Sequence, residues 1–124
     1  MVGAGLNAVN VIAGLFVATG QDIACVHESG VSILTMEVDG DDLIATMVLP
    51  SLVTGTVGGG TSLPHQRDWL TALGCAGPGG SARFAEIVAG FSLALDLSTT
   101  AALVTGEFAD AHERLGRSRR VDLV

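Results

Sequence analysis

Residues 31 to 49 read VSILTMEVDGDDLIATMVL and carry the strongest local structural signal in the chain. Val31 to Val38 is rich in β-branched side chains, residues 39 to 42 have the composition of a turn, and Leu43 to Leu49 is a second apolar run. This order predicts a β-hairpin. Because both strands carry apolar residues on both faces, we expect the hairpin to be covered on two sides.

Helical patterns lie on either side of the hairpin. Apolar periodicity, together with the glycine and proline breaks, predicts helices over residues 6 to 19, 21 to 28, 64 to 73, 82 to 95 and 99 to 114. Gly20 suits the end of the first helix, and Pro64 suits the first turn of the third. Ser81 is the expected N-cap of the fourth helix, and Gly106 weakens the fifth. Residues 116 to 124 are polar and predict a flexible C-terminal tail.

The composition sets limits on function. The chain has 124 residues, 48% of them apolar, with a formal net charge of -7, which describes one globular domain at most. All six basic residues are arginines, so the chain contains no lysine, and it contains no tyrosine either. The acidic balance excludes a broad nucleic-acid-binding face. Cys25 and Cys75 are spaced for neither a metal site nor a disulfide framework, which predicts a reduced, cytoplasmic chain without metal.

Two long uncharged stretches raise the question of a membrane. Residues 1 to 21 lack the basic region and cleavage pattern of a signal peptide, and residues 43 to 66 contain Pro50 and three consecutive glycines, which would leave backbone groups unpaired in lipid. We therefore expect both stretches in a protein interior and expect no membrane. The excess of apolar residues predicts a surface that another chain or domain covers.

The segment from Gly55 to Thr61, GTVGGGT, is the best candidate for a ligand-binding loop. Its three consecutive glycines could expose successive N–H groups to an anion or lie flat against a ligand, and a tight structural turn is the alternative. A second glycine pattern, G-x-G-x-x-A at residues 3 to 8, does not have the context of a dinucleotide fingerprint, which must follow a strand within a βαβ unit, because only two residues precede Gly3.

Among the titratable residues, Asp22 and His112 are the candidates for proton transfer. Asp22 follows a helix end among apolar side chains, where a carboxylate either pairs or shifts its pKa, and a surface aspartate is the alternative. His112 lies on a predicted helix near the tail and could donate a proton or be simply solvated. His27 and His65 have no companions at metal-ligand spacing.

Together these segments resemble the C-terminal part of the catalytic domain of hydroxymethylglutaryl-CoA reductases. The anchors occur in family order over about residues 6 to 115: Asn10, Gly20-Gln21-Asp22, Leu49-Pro50-Ser51, the GTVGGGT loop, Ala101-Ala102-Leu103 and His112. The resemblance implies an α+β fold, namely the C-terminal portion of the large substrate-binding domain over residues 1 to 115. In that fold helices pack on a β-hairpin that belongs to a larger sheet.

The resemblance also implies an activity and assigns roles to residues. Members of the family reduce 3-hydroxy-3-methylglutaryl-CoA to mevalonate and CoA with two NADPH, in isoprenoid synthesis. By this resemblance Asp22 is the buried catalytic aspartate, Asn10 is its hydrogen-bonding neighbour at the substrate, and His112 protonates the departing CoA thiolate. Leu103 forms part of the apolar wall beside the substrate. The cofactor-binding residues are Gly55, Thr56, Val57, Gly58, Gly59, Gly60 and Thr61.

The missing lysine is the main departure from the family pattern. Family catalysis also uses a lysine that stabilises the oxyanion and a glutamate that supplies protons, both upstream of the matched segment. Loss of such an electrostatic contact costs several kcal/mol of transition-state stabilisation, so we expect little activity from the chain alone. We expect it to form a homodimer or to pair with the missing N-terminal part, which could be separately encoded. The alternative is a non-catalytic remnant that serves as a dimerising interaction module.

Overall fold

The computed structural model describes residues 1 to 106 as an α+β arrangement. Within these residues a three-stranded antiparallel sheet accompanies four α-helices: β1 Val2–Ala4, α1 Ala8–Thr19, α2 Val26–Ser29, β2 Ile33–Asp39, β3 Asp42–Val48, α3 Pro64–Ala72 and α4 Ser81–Thr105. Two short 3₁₀ turns, Ile23–Cys25 and Gly59–Ser62, complete the elements. The predictions for His112 and for the tail at residues 116 to 124 lie outside the described residues.

The hairpin prediction is confirmed. β2 pairs with β3 so that Asp39 lies opposite Asp42, which leaves Gly40 and Asp41 as a two-residue turn. Gly40 has φ +62°, as the favoured hairpin turns require. β1 adds to the free side of β2, giving the order β1-β2-β3. The sequence did not predict β1, because three residues are too short for a recognisable alternation.

The expected cover on both faces of the hairpin is wrong for the described part of the chain. Leu34 is the buried apolar residue of β2, whereas Val38 and Leu43 are exposed. β3 packs against α4, and no other described layer covers the opposite face of the sheet. In the described part of the chain, many apolar residues of the hairpin therefore form exposed surface and are not packed between two layers.

The core lies between three helices. Ile12 and Phe16 of α1 pack with Leu70 of α3 and with Phe84 and Val88 of α4, and all five side chains are fully buried. The spacing of four residues within α1 and within α4 places each pair on one helix face. On α4 the buried line continues through Ser92 and Asp96, so the packed face of this helix becomes polar toward its second half.

The two predicted helices at residues 82 to 95 and 99 to 114 are one continuous helix as far as the structure describes them. α4 runs from Ser81 to Thr105 and ends at Gly106, whose φ of +75° is the usual left-handed cap. Thr99 and Thr100 do not break it, because a threonine costs a helix only a few tenths of a kcal/mol. Ser81 is the first helical residue rather than the N-cap, which is Gly80.

The remaining helices follow the sequence more closely. α1 and α3 confirm their predictions, α1 starting at Ala8 and α3 starting at Pro64. The segment from 21 to 28 begins later than predicted, as a 3₁₀ turn followed by the single-turn α2. Gln21 and Asp22 therefore lie in the connection between helices, and this places their side chains at the candidate site.

α4 is long and apolar enough to cross a membrane when length and composition alone are considered. Only 17% of its most apolar 18-residue window is buried within the described chain. Its buried side contacts α1 and β3, and Asp96 lies on that side. The helix is therefore both a packing element of this domain and a source of exposed apolar surface.

Candidate functional site

A cavity of about 570 Å³ lies between the C-terminal end of α1 and the glycine loop. Asp22 lines it from the connection after α1, and most of the Gly55–Thr61 segment lines it from the other side. Phe16, Val17, Ile23 and Val53 add apolar walls. Two sequence-predicted elements that are more than thirty residues apart in the chain therefore share one cavity of the size that small-molecule ligands occupy.

The glycine loop has a backbone that other residues rarely adopt. Gly58 and Gly59 have φ of +78° and +52°, and Gly59 is the first residue of the 3₁₀ turn Gly59–Ser62. Within the described residues, the N–H groups of Gly58, Gly59 and Gly60 donate to no backbone or side-chain acceptor. Three successive free N–H groups are the arrangement that binds anions, which favours a ligand-binding loop over a purely structural turn.

A close backbone contact joins the end of α1 to this loop. Gly20 caps α1 with φ +72°, and a Cβ built on it would lie 2.3 Å from the carbonyl carbon and oxygen of Gly60. In return, a Cβ on Gly60 would lie 2.9 Å from the Gly20 oxygen. Both positions therefore require glycine, and their contact brings Asp22 alongside the loop.

Gln21 adds a pair of hydrogen bonds between the same two segments. Its side chain is 8% exposed. Its Nε2 donates to the Gly55 carbonyl oxygen at 2.7 Å, and the Gly55 N–H donates to its Oε1 at 2.8 Å. This role of Gln21 was not predicted from the sequence, where its position between a helix-ending glycine and an aspartate is the available signal.

The flanks of the loop are tied to the start of α4. The Thr54 and Ser81 hydroxyl oxygens lie 2.9 Å apart, and Ser81 Oγ also lies 2.9 Å from the Thr54 carbonyl oxygen. Thr56 does not line the cavity. It is buried, and its Oγ1 donates to the Gly77 carbonyl oxygen at 2.6 Å. Of the seven predicted cofactor residues, six line the cavity and Thr56 anchors the loop.

Asp22 is exposed, contrary to the buried carboxylate that the family resemblance implied. Its Oδ1 accepts a hydrogen bond from the Ala24 N–H at 3.0 Å, which caps the 3₁₀ turn, and Cys25 Sγ lies 3.7 Å from its Oδ2. No described residue covers the carboxylate, because this side of the cavity is open. The geometry therefore favours the surface-aspartate alternative for the described chain, and the catalytic role remains a prediction.

Cys25 also lines the cavity, and its environment makes it a poor nucleophile. Partial burial, a hydrogen bond with Glu28 and the negative charges of Asp22 and Glu28 all raise the pKa of its thiol. A thiol with a raised pKa stays protonated at neutral pH, and only the thiolate is nucleophilic. We therefore do not expect Cys25 to act as a nucleophile in this cavity.

Asn10 and Leu103 do not join Asp22. Asn10 lies in the first turn of α1, and Gly20 at the other end is about 15 Å away at 1.5 Å per residue. The Asn10 amide donates to Asn7 Oδ1 at 3.4 Å. Within the described residues of one chain it makes no hydrogen bond to Asp22, and its expected role stays a prediction. Leu103 is 53% exposed and does not line the cavity.

A buried carboxylate organises this other end of α1, and the sequence analysis missed it. Asp96 is fully buried on α4, where its two oxygens accept the N–H groups of Leu6 and Asn7 at 2.9 and 2.8 Å. The Asn7 amide in turn donates to Thr99 Oγ1 at 2.8 Å. Asp96 thus serves as the acceptor that α1 lacks at its own start. An acidic residue within the apolar second half of this helix was the available signal.

Comparison with known proteins identifies the family to which this arrangement belongs. The family model described as hydroxymethylglutaryl-coenzyme A reductase matches residues 1–117. The chain belongs to this reductase family. This membership confirms the family resemblance that the sequence motifs indicated.

Curated reductases from distant organisms are similar to this sequence. The chain is 50% identical over 113 residues to the 3-hydroxy-3-methylglutaryl-coenzyme A reductase of Aeropyrum pernix, a match that covers 87% of this chain and 27% of the relative. It is 44% identical to the enzyme of Methanocaldococcus jannaschii, over 91% of this chain and 28% of the relative. It is 41% identical to the enzyme of Schistosoma mansoni, over 97% of this chain and 13% of the relative. The chain thus spans less than a third of the curated reductases it matches.

Within this reductase-family chain, the cavity combines three chemical features. Its lining includes the exposed Asp22 carboxylate, a glycine loop with free N–H groups, and apolar side chains. It offers no lysine, since the sequence has none. Among the described residues that line the cavity, none is a lysine or an arginine.

Proposed function

We propose that this chain is the C-terminal portion of the large substrate-binding domain of a hydroxymethylglutaryl-CoA reductase and supplies part of its active site. The complete reaction would reduce 3-hydroxy-3-methylglutaryl-CoA to mevalonate and CoA with two NADPH. The observation that carries the proposal is the shared cavity of Asp22 and the GTVGGGT loop. Family membership supports the reaction class.

The loop fits an anionic dinucleotide. Its three free N–H groups suit a phosphate or another anionic group, and Val17, Ile23, Val53 and Val57 give the cavity an apolar lining that suits an aromatic ring. NADPH, when bound, would supply the hydride. The residues that would contact the adenosine ribose lie upstream of the matched segment, so this chain does not distinguish NADPH from NADH. NADPH is proposed because the family uses it.

The chain's own groups would handle protons. In the proposed mechanism Asp22 exchanges a proton with groups at the substrate carbonyl from its exposed position on the cavity wall. His112 protonates the CoA thiolate as it leaves, which prevents the thiolate from re-attacking the aldehyde. Asn10 and Leu103 do not line this cavity, so they would contact substrate only in a site completed by another chain. Their proposed roles therefore go together with a homodimer or with pairing to an N-terminal part.

We further propose that these 124 residues alone have negligible turnover, because they contain no lysine. The test is NADPH oxidation with 3-hydroxy-3-methylglutaryl-CoA, measured for the chain alone and for the Aeropyrum pernix enzyme as the positive control. A rate for the chain comparable to the control would refute the inactivity. A parallel titration of the chain with NADPH tests the loop, and the absence of binding up to millimolar NADPH would count against its proposed role.

The second candidate function is a dimerising interaction module without catalysis. Large exposed apolar residues favour it, including Val38 at 80% and Val104 at 82% exposure. Light scattering after size-exclusion chromatography distinguishes the possibilities, and a stable monomer would argue against the module.

We propose that α4 is a packing helix rather than a membrane span, because Asp96 faces its packed side. We also propose that the protein is located in the cytoplasm, because Cys25 and Cys75 are unbridged thiols.

A further inference from the structure

The side chain of Gln21 bridges two segments that are separated by 34 positions in the sequence. Its amide makes one donor and one acceptor bond to the same residue, Gly55, in the manner of a peptide group in a sheet. Gln21 immediately precedes Asp22, and Gly55 opens the glycine loop. One side chain therefore connects the backbone that carries the candidate acid to the backbone that carries the candidate anion-binding loop.

We propose that Gln21 is a positioning residue that fixes the glycine loop relative to Asp22. The proposal rests on the proposed function of the loop. Gln21 would contact neither substrate nor cofactor and would act through the orientation of Gly55 and the residues that follow. The other anchors do not replace it, because Thr54 and Thr56 tie the loop toward the α4 side, to Ser81 and Gly77.

The chemistry of the contact requires glutamine. Gly55 presents both an N–H and a carbonyl oxygen, so the partner must accept and donate at once. A carboxamide does both, whereas an ionised carboxylate only accepts and a thioether does neither effectively. Gln21→Glu should therefore retain one of the two bonds, and Gln21→Met should lose both while filling a similar volume.

The Gly20–Gly60 contact explains why loss of the Gln21–Gly55 hydrogen bonds should have only a local effect. It holds the far end of the loop against α1 by backbone packing alone. The packing is so close that a Cβ added to Gly60 would lie 2.9 Å from the Gly20 oxygen. Loss of the Gln21 bonds therefore frees the Gly55 backbone, while Thr54, the Thr56 side chain and Gly60 remain attached. The three-helix core, which Gln21 does not join, should remain intact.

The test is amide hydrogen exchange of the full chain for wild type, Gln21→Met and Gln21→Glu. Gln66→Met is the matched control, because Gln66 lies on α3 and its side chain makes no hydrogen bond within the described residues. Two lost bonds of about 1 kcal/mol each predict exchange about thirtyfold faster for the Gly55 amide in Gln21→Met. We expect a smaller increase in Gln21→Glu, and core amides of α1 and α4 close to those of the control.

The outcomes separate a positioning role from general stability. Faster exchange confined to residues 55 to 59, graded from Glu to Met, supports the proposal. Uniformly faster exchange over the whole chain in both Gln21 variants, or no change at Gly55, overturns it. NADPH titration of the same proteins is read separately: if wild type binds no NADPH, the proposed function of the loop fails, while the exchange data still decide whether Gln21 holds it.

Discussion

Substitution of Gly20 by alanine tests the backbone contact that joins α1 to the glycine loop. The alanine would have to adopt φ +72°, which costs an L residue about 1–2 kcal/mol. Its Cβ would also lie 2.3 Å from the Gly60 carbonyl carbon and oxygen and 2.8 Å from the Thr61 nitrogen. These are backbone atoms that cannot rotate away, so overpacking adds about 1–3 kcal/mol. The expected loss in the free energy of unfolding is about 2–5 kcal/mol.

Gly40→Ala supplies the matched control. Gly40 has a similar φ of +62°, but a Cβ there would meet nothing within 4 Å, so only the conformational cost of about 1–2 kcal/mol applies. Urea unfolding of both variants, followed by circular dichroism, gives the two differences. If Gly20→Ala and Gly40→Ala lose the same free energy, the close packing of Gly20 on Gly60 is refuted. A larger loss in Gly20→Ala measures the packing directly.

Three further substitutions test other parts of the structure. Asp96→Asn replaces one of the two oxygens that accept N–H groups at the start of α1, and thermal unfolding should reveal a loss of about 2–3 kcal/mol, whereas exposed Asp68→Asn should cost little. Phe84→Ala removes a fully buried ring and should cost about 3–5 kcal/mol in urea unfolding. The rate of Cys25 alkylation by iodoacetamide, measured against pH, should have its midpoint at a higher pH than that of an ordinary thiol, because partial burial and nearby carboxylates raise the Cys25 pKa. Glu28→Gln should lower this midpoint, and an unchanged midpoint in the variant would contradict the prediction.

Local signals predicted the local elements of the fold. The hairpin between Ile33 and Val48 follows from a β-branched run and a second apolar run around a turn, and α3 follows from Pro64, since each depends on residues close in sequence. The continuity of α4 through Thr99 was missed because propensity is a weak guide when tertiary packing holds a helix. The exposed faces of the hairpin were missed for a related reason: apolar composition indicates what a strand can bury, and the neighbouring layers determine what it does bury.

The site shows the same division between local and distant information. The motifs around Asp22 and the GTVGGGT loop could be recognised from the sequence, and the structure brings them to one cavity. Gln21 and Asp96 could not be assigned roles, because their partners lie 34 and about 90 residues away. Their hydrogen bonds satisfy backbone groups, and a backbone group has no sequence signature that could indicate its partner.

The polar and apolar parts of this site differ in what they need from outside the chain. Every buried side-chain nitrogen or oxygen within the described residues has a hydrogen-bond partner. The anchors of the glycine loop, Gln21, Thr54 and Thr56, are among these satisfied groups, so the backbone geometry of the loop is held from within. The Asp22 carboxylate and the outer faces of α4 and the hairpin are exposed instead. A partner that completed the site would therefore contribute apolar cover and a cation beside Asp22, and it would not have to rearrange the loop.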